Sequence, residues 1–179
     1  HLDQNSFMIE AAGQRLCGEN PYWPQAHFIG FFDMSKFRWN FDGMATIGHS
    51  TLLVDGKGQT WGPDYAGRLV TAQEGAGYQH VTGDASHCYP GLLRKFIRTL
   101  VLIPPDRIVI RDVVECEGER YVEWLMQHEG EIRSEGIVSV IENDGVRLAV
   151  TPLLPDRQQG WRWNDAPRTS VYECSDTRQ

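Results

Sequence analysis

Apolar and polar residues alternate along most of this 179-residue chain, and that alternation limits its fold more than any other feature. The segments FIRTLVLI (96–103) and RIVIRDVVE (107–115) show it clearly, with Pro104, Pro105 and Asp106 between them. A period of two places every second side chain on one face of a strand, and proline followed by aspartate favours a tight turn. The pattern therefore predicts two antiparallel strands joined as a hairpin.

The same pattern continues through the rest of the chain. Turn residues such as Asn143-Asp144-Gly145 separate the alternating segments, which are 5–17, 49–59, 70–84, 119–132, 137–144, 146–154 and 170–179. No window carries a convincing apolar stripe with the helical period of 3.6 residues. Strands at this spacing are typical of an antiparallel sandwich or barrel. We expect an all-β, antiparallel β-sandwich forming one module over residues 1–179, truncated at both ends.

Composition excludes several classes of function. A net charge of −7 with no cluster of lysine and arginine argues against nucleic-acid binding. No apolar run approaches the roughly 20 residues of a membrane-spanning helix. The four cysteines form no C-x-x-C pair, so a zinc knuckle or a redox motif is not indicated. We expect them to be small buried side chains, although an even number also permits disulfides in an exported protein.

Aromatic residues are concentrated between positions 22 and 39, beginning with Tyr22 and Trp23. Aromatic faces stack on sugar rings, so this stretch is a candidate carbohydrate contact; covering the sandwich core is an equally good interpretation. Arg94, Lys95 and Arg98 raise a similar choice. They are candidates for binding a sugar carboxylate, but polar groups on a solvated strand edge explain them better.

Two histidines have neighbourhoods that suggest a site. His1 begins an alternating polar face with Asp3 and Asn5, and His49 immediately precedes the apolar segment STLLVDG. Glu19 follows a short predicted strand that ends at Cys17. Two imidazoles and a carboxylate form a common zinc shell that leaves one position open, although spacing alone does not bring these three residues together.

Three ordered motifs carry a family resemblance. HLDQNSF and the following GQRLCGE, then GHSTLLVDGKGQ, then DASHCYPGLLRKFIRTLVLIPPDRIVIRDVVECEGERYVEWLMQHEGEI resemble the heparinase II/III-like domain of bacterial polysaccharide lyases. That family carries H-x-H-x-D-x-N-S-F, then G-[EQ]-x-L-x-x-D, then [AG]-H-N-T-[LV]-x-V-D-G-x-x-Q. The resemblance covers residues 1–132 well and the remainder loosely.

The resemblance implies a zinc site. The family's metal ligands fall on His1, Glu19 and His49, with Asp3 or Asn5 orienting the ring of His1. Glu19 stands where the family usually has aspartate, so the cavity must accommodate one additional methylene. Ser50 stands where the family has asparagine. The metal is then expected to hold together the strands that face the substrate cleft.

The resemblance also implies an activity, the β-elimination of a uronic-acid-containing polysaccharide. A base removes the proton α to the sugar carboxylate, and the glycosidic oxygen leaves with a proton from an acid. Family members take most of that machinery from an N-terminal (α/α) toroid, which is not in this sequence. We therefore assign no catalytic residue, expect the chain alone to be inactive, and expect a periplasmic or secreted bacterial protein.

Two further interpretations remain open from the residues. One is a non-catalytic carbohydrate-binding or structural β-sandwich that contacts sugar through the aromatic stretch. The other is a metal-dependent barrel oxygenase, which uses a close H-x-[DE] pair and a distant histidine; His1 and Asp3 have that spacing. The complete run through Phe7 and the second motif at His49 fit the lyase pattern better.

Overall fold

A computed structural model describes residues 1–19, 32, 36–153, 160–164 and 169–174. The chain divides into two compact units. Unit 1 comprises His1–Gly58 and Tyr121–Gln179, and unit 2 comprises Gln59–Arg120. The prediction of one module over residues 1–179 is not tested by this division and stays a prediction.

The structure is built from antiparallel strands, as the alternation predicted. They are β1 (Ile9–Ala11), β2 (Gln14–Cys17), β3 (Leu52–Val54), β4 (Arg68–Gly75), β5 (Tyr78–Asp84), β6 (Leu93–Ile103), β7 (Arg107–Cys116), β8 (Val122–Gln127), β9 (Glu131–Glu135), β10 (Val138–Asn143), β11 (Val146–Val150), β12 (Gly160–Asn164) and β13 (Thr169–Cys174). Helical structure in the described residues consists of short 3-10 turns, at Lys36–Asn40, Thr46–Gly48, Pro63–Tyr65 and Ser86–Cys88. Across the described ranges, no helix is long and apolar enough to cross a membrane. The all-β, sandwich-like class is confirmed.

The described residues of unit 1 form a β1–β2 hairpin, the sheet β9–β10–β11, and a four-stranded sheet in the order β12–β13–β8–β3. Leu53 and Leu125 pack together in its core, and the ring of Phe7 lies 5.7 Å from that of Trp124. Burying such side chains contributes about 1.5–3 kcal/mol each. This packing fixes β3 and β8 beside the N-terminal segment.

The turn between β10 and β11 shows how sequence sets the strand register. Asp144 and Gly145 occupy its two central positions with φ of 47° and 80°. A two-residue type I′ turn needs positive φ at both positions, which Asp-Gly adopts readily. Asn143 pairs with Val146 directly across this turn. The predicted hairpin is confirmed.

The predicted segment 119–132 forms two strands rather than one. β8 ends at Gln127 and β9 begins at Glu131, with Gly130 between them at a φ of 89°. Extended strand backbone has negative φ, so a glycine in this conformation interrupts the strand and turns the chain. The alternation alone did not reveal this break.

Unit 2 contains one sheet in the order β4–β5–β6–β7. β6 and β7 form the long hairpin predicted around Pro104-Pro105-Asp106, and their register pairs Arg98 with Asp112. Phe96 and Leu93 are buried against the loop that carries Tyr89. The core of this unit therefore lies at the Leu93 end of the hairpin.

Arg98 was expected to lie on a solvated strand edge, and the structure shows that this was wrong. It is completely buried, and its Nε and Nη2 donate to the two carboxylate oxygens of Asp112 at 2.8 Å and 2.6 Å. The physical reason is the strand period, because Arg98 follows Phe96 by two residues and shares its inward face. Arg94 and Lys95 remain at the surface, where Lys95 pairs with Glu115.

Two of the three described cysteines follow the expectation of small buried side chains. Cys17 and Cys88 are buried, Cys116 is half-buried, and no disulfide joins these three described cysteines. Burial raises the pKa of the Cys88 thiol to about 11. A thiol with so high a pKa stays protonated and behaves as a small hydrophobe. The side chain of Cys174 lies outside the described residues.

Candidate metal centre

His49 is the buried centre of the predicted site. It follows the 3-10 turn Thr46–Gly48, where its backbone N–H donates to the Thr46 carbonyl, and it leads into β3. Its side chain has no exposed surface. Within the described part of the chain, neither ring nitrogen of His49 has an aligned hydrogen-bond partner. A buried polar group left without a partner is costly, so this ring is suited to receive a ligand.

Three hydrogen bonds hold the N-terminal segment against the chain on both sides of His49. The N–H of Leu2 donates to the Met44 carbonyl at 3.0 Å. The hydroxyl of Thr51 donates to the Gln4 carbonyl at 3.0 Å, and the N–H of Ser50 donates to the Ser6 hydroxyl at 3.1 Å. Residues 1–6 are therefore fixed beside His49.

This placement brings His1 and Asp3 to His49. The imidazole centroids of His1 and His49 are 5.4 Å apart, with 33° between the ring planes. One donor atom from each of His1, Asp3 and His49 lies within 4.8 Å of the others. The His1 Nδ1 is 3.8 Å from the Asp3 Oδ2, which is too long for a hydrogen bond. The orienting role of Asp3 toward the His1 ring stays a prediction.

Glu19 reaches His49 from the end of β2. The N–H of Gly18 donates to the Gln127 carbonyl at 3.3 Å, which holds the end of β2 against β8. Glu19 Oε1 lies 3.2 Å from His49 Nδ1, a close contact that lacks hydrogen-bond alignment. The neighbouring His49 ring lowers the pKa of the Glu19 carboxyl, against the opposing effect of burial. Glu19 is thus anionic at neutral pH beside a buried imidazole.

Ser50 anchors the segment between His49 and β3. Its hydroxyl accepts a hydrogen bond from the Gln127 backbone N–H at 3.0 Å and lies 3.4 Å from the Cys17 sulfur. The Gln127 side chain in turn donates to the Ile47 carbonyl at 2.8 Å. Sequence reasoning treated Ser50 only as a departure from the family motif. The signal it missed is geometric, because a short hydroxyl here links β2, β3 and β8.

The remaining predicted residues are distributed as follows. Asn5 lies in the turn after Asp3, with φ of 59°, and its role beside His1 stays a prediction. Tyr22 and Trp23 lie outside the described residues, so the proposed sugar contact stays a prediction. From the same aromatic stretch, Phe37 exposes 66% of its surface. The Arg98 guanidinium is occupied by Asp112 and is buried, so it does not present a binding group for a sugar carboxylate.

The chemistry of the donor set fits a metal ion. Imidazole nitrogens and carboxylate oxygens bind zinc at about 2.0–2.2 Å, which puts neighbouring donors of a tetrahedral shell about 3.3 Å apart. The 3.2 Å contact between Glu19 and His49 matches that edge without being an aligned hydrogen bond. The separation of His1 from Asp3, 3.8 Å, is slightly longer. Imidazole and carboxylate donors are therefore present at this place, and the donors of His1, Asp3 and His49 lie within 4.8 Å of one another.

Comparisons with known proteins identify the family and the fold of the chain. The family model described as "Heparinase II/III-like, C-terminal" matches residues 1–173. A heparinase III structure with methylated lysines superposes with a TM-score of 0.73 and 16% identity, covering 99% of this chain and 28% of that one. The heparan sulfate lyase HepC from Pedobacter heparinus gives 0.73 and 15%, covering 97% of this chain and 28% of that one.

The chain thus spans about 28% of the length of these solved structures. A comparison with curated protein sequences gives no match. Identities this low show a shared fold, whereas the family match extends over nearly the entire chain. The chain belongs to the heparinase II/III-like C-terminal domain family.

Proposed function

We propose that this domain is part of a polysaccharide lyase that cleaves a uronic-acid-containing polysaccharide by β-elimination. The observation that carries the proposal is the family match over residues 1–173. The structural matches to a heparinase III and to a heparan sulfate lyase support it, since both are named for cleavage of heparin or heparan sulfate. In this proposal the domain contributes a metal site and one wall of the substrate cleft.

The metal site consists of His1, Glu19 and His49, which would hold a zinc ion. The support is the buried His49 ring, whose nitrogens lack aligned partners, and its 3.2 Å contact with Glu19. The bound zinc would supply a divalent charge that ties the N-terminal segment to β2 and β3. The residues of this chain position that site, because the bonds of Leu2, Ser50 and Thr51 fix the segment before any ion binds.

The elimination itself requires groups that this chain does not provide in the proposal. A base takes the proton from the carbon α to the sugar carboxylate, and the electron pair forms a double bond to the β carbon. The bond from the β carbon to the glycosidic oxygen then breaks, and an acid protonates that oxygen. Donors that stabilise the charged carboxylate lower the barrier. We propose that an N-terminal toroid of the same polypeptide supplies these groups, in a periplasmic or secreted bacterial enzyme.

The test uses the complete polypeptide that contains this domain. We expect it to produce ultraviolet-absorbing unsaturated sugars from at least one uronide among heparan sulfate, alginate and related polymers. The isolated 179-residue chain is the matched control and is expected to be inactive. Absence of product from every uronide would contradict the lyase assignment. Elimination by the isolated chain would contradict the division of labour between the domains.

A further inference from the structure

The structure places a second carboxylate, Asp3, where an orienting residue was expected. Its donor atom belongs to the group with His1 and His49 whose members lie within 4.8 Å of one another. Glu19 is not a member of that group, although its Oε1 lies 3.2 Å from the His49 Nδ1. The His49 ring is therefore approached by two carboxylates, one from the N-terminal segment and one from the end of β2.

We propose that Asp3 binds the metal directly as a fourth protein ligand, an inference that rests on the zinc site in the proposed function. With His1, Glu19 and His49 it gives two nitrogen and two oxygen donors. Four protein ligands complete a tetrahedral zinc shell and leave no position for water or substrate, which is the pattern of structural rather than catalytic zinc.

Charge balance supports the closed shell. Two neutral imidazoles and two carboxylates balance the charge of a divalent ion. A shell in which Glu19 is the one carboxylate, beside the two histidines, leaves a net charge of one positive unit. The site is enclosed on one side, since His49 has no exposed surface, and His1, Asp3 and Glu19 expose only 28%, 33% and 33% of their side chains. An uncompensated charge is costly in such a place, so the second carboxylate stabilises the loaded site.

The geometry of Asp3 fits ligation better than orientation. Its Oδ2 lies 3.8 Å from the His1 Nδ1, beyond hydrogen-bond distance but near the separation of two donors on one ion. Its backbone carbonyl accepts from the N–H of Ser6 at 2.9 Å, which closes a turn and fixes the position of Asp3. The main chain therefore holds Asp3 in place independently of its carboxylate, and the carboxylate can be changed without removing that turn.

The test compares Asp3→Ala, Asp3→Glu and a control in unit 2, Asp64→Ala, in the full chain. A short neutral extension precedes His1, so that a terminal amine does not act as an additional ligand. Zinc affinity is measured by competition with a chromophoric chelator. Asp3→Ala should lower the zinc affinity about 100-fold or more, which is at least the loss seen when a residue that only hydrogen-bonds to a metal ligand is removed. Asp3→Glu restores an oxygen donor and should recover part of the loss, and Asp64→Ala should leave affinity unchanged.

Cobalt(II) substitution then reports whether the shell is closed. Azide should leave the visible spectrum of the wild-type cobalt chain unchanged, because no coordination position is open. In Asp3→Ala azide should shift that spectrum by occupying the vacated position. A wild-type spectrum that shifts with azide as readily as that of Asp3→Ala would overturn the proposal, as would unchanged zinc affinity in Asp3→Ala. Failure of the wild-type chain to bind either metal would instead reject the metal site of the proposed function.

Discussion

Two buried polar side chains, one in each unit, differ in how their hydrogen-bonding groups are satisfied. In unit 2 the Arg98 guanidinium is buried, and its Nε and Nη2 donate hydrogen bonds to the Asp112 carboxylate. Its Cζ lies 5.3 Å from the centre of the Phe96 ring. In unit 1 the His49 imidazole is buried with neither nitrogen in an aligned hydrogen bond within the described residues. The first centre is complete within its own sheet, and the second has donors arranged around it.

The difference separates a structural role from a binding role. A buried charge whose donors are all paired holds the strands in one arrangement, and those donors are then not available to bind a ligand. A buried group whose partners are close but unaligned retains its capacity to bind. We therefore assign Arg98 to the architecture of the β6–β7 hairpin and His49 to the proposed metal site.

The largest expected effect comes from breaking the complete centre. Arg98→Met leaves the largely buried Asp112 carboxylate without its cation, so we expect the free energy of unfolding to fall by about 3 kcal/mol, the lower end for a broken buried pair. Denaturant unfolding of the chain measures it. The double variant Arg98→Met with Asp112→Leu removes both charges and should recover most of the loss. A loss in Arg98→Met as small as that of a surface substitution would show that the pair is not a structural element.

A smaller loss of stability is expected when the Ser50 hydroxyl, which supports the segment beside His49, is removed. Ser50→Ala removes the acceptor of the Gln127 backbone N–H, whose loss leaves a buried donor unsatisfied and costs about 1–3 kcal/mol. The same unfolding measurement applies, with Ser134→Ala on the exposed strand β9 as control. Equal stability of the two variants would mean that the Ser50 hydroxyl does not anchor β8 to β3.

Acid should weaken unit 2 through Asp84. Burial acts to raise the pKa of Asp84, but hydrogen bonds from Ser86 and the ion pair with Arg68 outweigh it, and the pKa is lowered. A lowered folded-state pKa gives stability that is present above the unfolded value of about 3.9 and is lost as pH falls through the folded one. The stability difference between wild type and Asp84→Asn should therefore shrink below about pH 4. A difference that stays constant on acidification would contradict this.

The smallest effect is expected at the surface of the same hairpin. Lys95 and Glu115 form an ion pair with 43% and 45% of their side chains exposed, and Lys95 lowers the pKa of Glu115. Water and salt screen such a pair. Lys95→Ala should leave the denaturation midpoint unchanged within error, in contrast to Arg98→Met three residues further along β6. A comparable loss in both variants would remove the distinction between buried and exposed pairs.

Much of the fold could be predicted from the sequence because strand alternation and turn residues are local signals. The β6–β7 hairpin and the β10–β11 turn were both expected from such signals, and both are present. The break at Gly130 and the burial of Arg98 were not expected. The break at Gly130 depends on a backbone conformation that alternation does not encode. Alternation does place Arg98 on the inward face of Phe96, but its burial as a charged residue depends on the pairing with Asp112 across the hairpin.

The candidate site shows the same limit. Motif positions identified His1, Glu19 and His49, and the structure brings His49 close to both of the others. Asp3 was expected to act only on His1, because a motif records residue order and not the direction from which a carboxylate approaches. The placement of Asp3 beside both histidines depends on the bonds that fold residues 1–6 against Ser50 and Thr51.

The metal content of the purified chain tests the central claim most directly. After loading with zinc and extensive dialysis, the wild-type chain and the exposed-histidine control His87→Ala should retain stoichiometric zinc, whereas His49→Ala should lose it. Circular dichroism of each variant confirms that the strands remain folded. Equal zinc in His49→Ala and wild type, or none in the wild-type chain, would contradict the assignment of the buried His49 imidazole as a metal ligand.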